Sequence, residues 1–153
     1  MSKGLSVEVD QSGKIGDTGT KTVLAFSNHI SFSIVIPARV KREVLAWLRR
    51  HHKSTAHSYI RFFAAGLYLL FQEYIAQISH LTIDLEYPGH DQTIQSFLIE
   101  YFKRVRINLS GDKIIFRRIG KHSRAHECAL SVYQGARKPD RVIRTKELIA
   151  LLQ

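Results

Sequence analysis

The amino-acid sequence predicts a mixed α/β domain. β-rich runs crowd the first 36 residues, apolar residues recur at helical spacing after Pro37, and a strand pattern returns at 81–87. Residues 5–10, Leu-Ser-Val-Glu-Val-Asp, alternate, so Val7 and Val9 turn one way while Glu8 and Asp10 turn the other. The polar run 11–20 is punctuated by Gly13, Gly16 and Gly19 and reads as a loop. Residues 22–27 and 30–36 are two more strands, parted by Asn28 and His29, which completes an antiparallel meander. Pro37 suits a first helical turn, and Val40, Val44, Leu45, Trp47 and Leu48 mark the apolar face of a helix reaching about Arg50. A second helix is expected over 56–78, then a strand at 81–87 ended by Pro88-Gly89, and a helix through Ile94, Phe97, Leu98, Tyr101 and Phe102. A strand at 113–119 and a helix at 123–134 stopped by Gly135 come next. A basic connector at 136–144 leads to a last helix at 146–152 with Thr145 as N-cap.

The length of 153 residues, 44% of them hydrophobic, suits one core, so a single domain is expected with a basic C-terminal extension from about residue 136. Twenty-three Lys and Arg against 13 Asp and Glu give a formal charge of +10, which points first to nucleic acid as the partner. Cys128 is the only cysteine, which excludes an intramolecular disulfide and a four-cysteine zinc site and fits a reducing cytoplasm. The start, Met-Ser-Lys-Gly-Leu, has no apolar signal segment, and the most apolar stretch, 62–71, is far shorter than the roughly 20 residues that span a bilayer. No membrane association is expected. Tyr59, Phe62, Phe63, Tyr68, Phe71 and Tyr74 share one helix that is apolar on most sides, so burial rather than base stacking is their expected role.

Two acidic strand endings stand out in this basic chain, Asp10 and, within Leu81-Thr-Ile-Asp-Leu-Glu86, Asp84. If the two strands lie side by side, their carboxylates cluster. Such a cluster is costly without a cation, and Mg²⁺ or Mn²⁺ prefer oxygen ligands. Glu8 and Glu86 are expected to face solvent or pair with cations.

Three strands in meander, a helix, a strand, a helix, a strand and a closing helix resemble the ribonuclease H-like fold of ribonucleases H, transposases and Holliday-junction resolvases. The resemblance implies a mixed sheet, the antiparallel meander plus parallel strands, flanked by helices, with the first and fourth strands neighbours at its centre. It also implies a nuclease that cleaves phosphodiester bonds in structured or duplex nucleic acid with two Mg²⁺ or Mn²⁺ ions about 3.5–4 Å apart. Carried onto this chain, Asp10 and Asp84 become metal ligands. A third acid falls to Glu43 early in the helix after the third strand, with Glu73 its rival on an extra long helix, and a fourth to Glu127 in the closing helix. His126, beside Glu127, resembles a resolvase histidine that moves protons or contacts the attacking water. Resolvases of this kind are often dimers, so a homodimer joins nucleic acid among the assemblies implied.

His122 and His126, at i and i+4, have an alternative as a transition-metal pair. Among the basic groups, Lys14, Arg49, Arg50, Lys53, Arg118, Lys121 and Arg124 are the expected contacts to a nucleic-acid backbone. Lys14 sits in the glycine loop, which lacks the G-x-x-x-x-G-K-[ST] order and a following helix, so a hairpin turn is the plainer reading of its glycines. Two other functions fit the same composition: a non-catalytic basic nucleic-acid-binding module of the same fold, and a structural protein for an acidic protein partner.

Overall fold

The computed structural model describes residues 4–51 and 55–153. Lys53, one of the expected backbone contacts, lies outside the described residues. Three strands come first, β1 (Leu5–Ser12), β2 (Thr22–Ser27) and β3 (Ser31–Ile36), followed by α1 (Ala38–His51) and α2 (Thr55–Phe71). Then come β4 (Ile78–Asp84), α3 (Asp91–Arg104), β5 (Ile114–Arg117), α4 (Arg124–Tyr133), β6 (Arg141–Val142) and α5 (Thr145–Leu152). The described strands form one six-stranded sheet in the order β5-β4-β1-β2-β3-β6. β1, β2 and β3 are the antiparallel meander, while β4 runs parallel to β1, β5 to β4 and β6 to β3. This is the expected mixed α/β sheet, with its first and fourth strands adjacent.

Strand alternation divides the interior. Val7, Val9, Leu24, Phe26, Ile34, Ile36, Leu81 and Ile83 enter a large core shared with α1, α2, α3 and α5. Val23, Ala25 and Val35 enter a smaller one shared with Cys128, Ala129 and Val132 of α4. β2 and β3 are thus covered on both faces, which is why they read as near-continuous apolar runs. α2 is the buried helix its composition predicts: Phe71 stacks on Phe26 at 5.0 Å, and Tyr74 just beyond it meets the same ring edge-on at 5.4 Å. A Cβ at Gly66 would stand 2.8 Å from Leu24 Cδ1, so a side chain at residue 66 would force Leu24 or α2 to shift.

The expected and observed boundaries part company in several places: β1 runs on to Ser12, β4 stops at Asp84, and the last helix takes Arg144 and not Thr145 as its N-cap. α2 ends at Phe71 rather than 78, and a 3-10 turn at Ile75–Gln77 leads into β4 three residues ahead of the expected start. Ile75 and Ile78 are both buried, and their helix-like spacing hides the switch. Residues 136–144, expected as a connector, instead supply β6, which pairs with β3 through Ile34–Arg141 and Val35–Val142. Ile143, Leu148 and Leu152 then join the main core, so the C-terminal segment is built into the fold.

Candidate metal centre

The parallel register of β1 and β4 pairs Glu8 with Thr82 and Val9 with Ile83. One step further, Asp10 and Asp84 come side by side on the face that carries α4, on strands about 4.8 Å apart. Beyond Asp84 the chain leaves the sheet in a tight turn, in which the Glu86 N–H donates to the Asp84 carbonyl at 2.9 Å. The turn keeps Glu86 beside Asp84 instead of carrying it onward. Carboxylate oxygens of Asp10, Asp84 and Glu86 all lie within 4.8 Å of one another. The expectation that Glu86 faces solvent or pairs with a cation is corrected here: it is the third acid of the group.

The electrostatics are those of crowded negative charge. Burial pushes the Asp10 carboxyl above its ordinary range; bonds from the Gln11 backbone and from His126 oppose the rise, and the charge of Asp84 adds to it. Glu86 is pushed up to about 8, first by burial and then by its hydrogen bond to Asp84 and the charges of Asp84 and Asp10, with Lys14 pulling the other way. The geometry is held from outside the group: His126 Nδ1 meets Asp10 Oδ2 at 2.8 Å, and the Ile119 N–H donates to Asp84 Oδ1 at 3.0 Å. A carboxylate offers about four lone-pair sites, so each Asp keeps acceptor capacity.

A divalent ion fits this donor set. Magnesium holds oxygens at about 2.1 Å, so neighbouring ligands stand about 3 Å apart and opposite ones about 4.2 Å. Three oxygens within 4.8 Å need only small side-chain movements to reach those separations. The donors are hard carboxylate oxygens, which suit Mg²⁺ or Mn²⁺ over softer metals. They supply ligands for one ion.

Asp10, Asp84 and His126 line a hollow of about 300 Å³ together with Leu85, Arg118, Gly120 and Lys121. Arg118 and Lys121, both exposed, thus stand at the rim. Arg117 is the register partner of Asp84 on β5, and Ile115 on the same face is 44% exposed. α4 packs over β1, β2 and β3, leaving the acids open toward the β5 edge.

Other expected site residues lie elsewhere. Glu127 is not in the acidic group; it lines a separate hollow with Ser27, His29 and Arg137. The reason is helical geometry. Ala125, Cys128, Ala129 and Val132 form the buried stripe of α4, and the 100° step per residue sets His126 on the flank toward β1 and Glu127 on the far side. Glu43, assigned a catalytic role by the resemblance, is an exposed residue of α1 paired with Arg39 at 3.4 Å. Glu73 precedes β4, at the opposite end of a seven-residue strand from Asp84, roughly 20 Å away. His122 stands before the N-cap Ser123, outside the helix, so the i, i+4 histidine pair is not formed.

Arg49 and Arg50 end α1, on the sheet face opposite the acids, where Arg49 lies by Gly16, Thr18 and Tyr59. Arg124 starts α4 and donates to the Asn28 carbonyl at 3.1 Å. Lys14 is close enough to Glu86 for its charge to be felt there. Its loop is pinned by Lys41 of α1. Lys41 is fully buried, and its Nζ donates to the Lys14 carbonyl at 2.8 Å and to Thr22 Oγ1 at 2.9 Å. Burial lowers its pKa to about 8, against the pull of Asp17. The signal was present: 41, 44, 45 and 48 make one i, i+3, i+4, i+7 face.

No family model, curated protein or solved structure matches this chain. Among the described residues, no helix is long and apolar enough to cross a membrane.

Proposed function

We propose that this chain is a ribonuclease H-like nuclease that uses Mg²⁺ or Mn²⁺ to hydrolyse phosphodiester bonds in structured or duplex nucleic acid. One observation carries the reading: Asp10, Asp84 and Glu86 meet within 4.8 Å, and the two aspartates line an open hollow rimmed by Arg118 and Lys121. The adjacency of β1 and β4 supports it, as does the charge of +10. A divalent ion held there would polarise a phosphoryl oxygen and lower the pKa of a bound water. Asp10 and Asp84 would hold it from the neighbouring strands β1 and β4, whose rigidity keeps ligand geometry, with Glu86 as third ligand. His126, partly exposed and against Asp10, is placed to hold or pass a proton at Nδ1. Arg118 and Lys121 would neutralise the phosphate that enters. With Glu43, Glu73 and Glu127 elsewhere, a single resident ion is the form proposed.

A second reading, a non-catalytic nucleic-acid-binding module of the same fold, draws on one observation: Asp10 is already engaged by His126 at 2.8 Å. Incubating the protein with labelled duplex, hybrid and branched substrates in Mn²⁺ separates the two. Under the nuclease reading the wild type cleaves, and Asp10→Asn abolishes cleavage while binding persists. Tight binding with every substrate left intact in both metals would move the conclusion to the binding module.

A further inference from the structure

Three hollows lie around the start of α4. The acidic hollow, which holds Lys121, is followed by one of about 460 Å³ lined by Ser6, Glu8, His122 and Arg124. That hollow shares His29 and Arg124 with a third, of about 340 Å³, set between α4 and the β2–β3 hairpin and flanked by Arg137. We infer that a nucleic-acid strand engaged at the acidic group leaves it as a single strand around the start of α4, along a track whose cations are Lys121, Arg124 and Arg137, with the imidazoles of His122 and His29 between them. The inference deepens the nuclease reading and rests on it for where the strand begins, but binding along the track requires no cleavage.

The chemistry of the track favours this occupant. Its two carboxylates are Glu8, which accepts from Ser123 Oγ at 2.9 Å, and Glu127. Arg124 uses one of five donors on Asn28, leaving others for phosphate oxygens. Guanidinium and imidazole planes can also lie against unstacked bases, which a single strand offers and a duplex does not. The fold further sorts the cations into two sets. Arg39, Arg42, Arg49 and Arg50 belong to α1, which packs on the other face of the sheet, so they cannot extend a path that starts at the acids.

The test is anisotropy of labelled DNA and RNA single strands of two lengths, a 4-mer and a 16-mer, with the full chain in EDTA. Arg124→Gln with Arg137→Gln should weaken the 16-mer at least tenfold and lower the salt slope by about 1.4, since each lost contact to a single strand removes about 0.7. The 4-mer should change far less, and Arg49→Gln with Arg50→Gln should leave both probes within twofold. Should the double variant fold poorly, Arg137→Gln alone, at an exposed position, should still cost about threefold on the 16-mer. Equal losses from the α1 pair, no loss from the track variants, or no measurable binding by the wild type would overturn the inference. A stronger response to DNA or to RNA identifies the strand. The Mn²⁺-dependent thermal shift reads the acidic site separately: its absence with the track pattern intact sinks the nuclease reading alone, and the converse sinks the track alone.

Discussion

Replacing Glu86 with Gln should remove a pH-dependent weakness from the ion-free protein. The folded carboxyl titrates near 8 against an ordinary 4.5, so between those values the native state keeps a proton that the unfolded chain has released. Stability from this group is therefore full below about pH 4.5, falls as pH rises through the window, and is gone above about 8. At about 1.4 kcal/mol per pH unit the ceiling is about 5 kcal/mol; the group's partial exposure and screening by solvent reduce it to about 1–3 kcal/mol. For a domain of this size that corresponds to roughly 3–9 °C in Tm. The assay is thermal unfolding in EDTA at pH 5 and pH 8.5, scored as wild type minus Glu86→Gln so that the histidines cancel. The wild type should lose several degrees more than the variant, which keeps the slope due to Asp10, raised by burial in the same direction. Mn²⁺ at a hundredfold over its Kd should restore about 2.7 kcal/mol to the wild type at pH 8.5 and much less to the variant. Identical pH losses in the two proteins would refute the claim that burial, with the neighbouring carboxylates, holds the proton on Glu86.

The acidic group also predicts which carboxylates matter to the ion: Asp84→Asn should abolish the Mn²⁺ shift in Tm, while Glu127→Gln and Glu43→Gln should leave it unchanged. Lys41→Met leaves the Lys14 carbonyl and the Thr22 hydroxyl short of a donor, at about 1–3 kcal/mol, and amide exchange over 13–18 should accelerate; unchanged exchange would mean that Lys41 does not hold the loop. At Gly13, φ is +83° and a Cβ would stand 2.2 Å from the Lys21 carbonyl oxygen. Gly13→Ala should accordingly destabilise by about 2 kcal/mol or more in denaturant unfolding. Phe26→Ala, which empties the contact with Phe71 and Tyr74, should cost about 3–5 kcal/mol by the same measurement.

Much of this arrangement was legible in the residues. Alternation at 5–10 and 81–86 fixed which faces Asp10 and Asp84 share, and the meander followed from β-rich runs separated by short polar segments. What escaped notice depends on where the chain bends. Glu86 joins the group through a turn bonded between Glu86 and Asp84, and nothing in Asp-Leu-Glu-Tyr distinguishes a strand that continues from one that stops. Tyr87 shows the same difficulty; its ring packs on Phe63 at 4.9 Å, an anchor visible only once α2 is placed. The exclusion of Glu127 was readable, because the small buried stripe Ala125, Cys128, Ala129 and Val132 already sends residues 126 and 127 in different directions. β6 was not, since a two-residue strand leaves too little pattern to detect.

The most direct test is anomalous diffraction from crystals soaked in Mn²⁺. One peak should appear about 2.1 Å from carboxylate oxygens of Asp10, Asp84 and Glu86, the distance set by hexacoordinate oxygen ligation. Manganese bound instead beside Glu127 or Glu43, or carboxyls of residues 10, 84 and 86 closed on protein cations with no ion among them, would contradict the account.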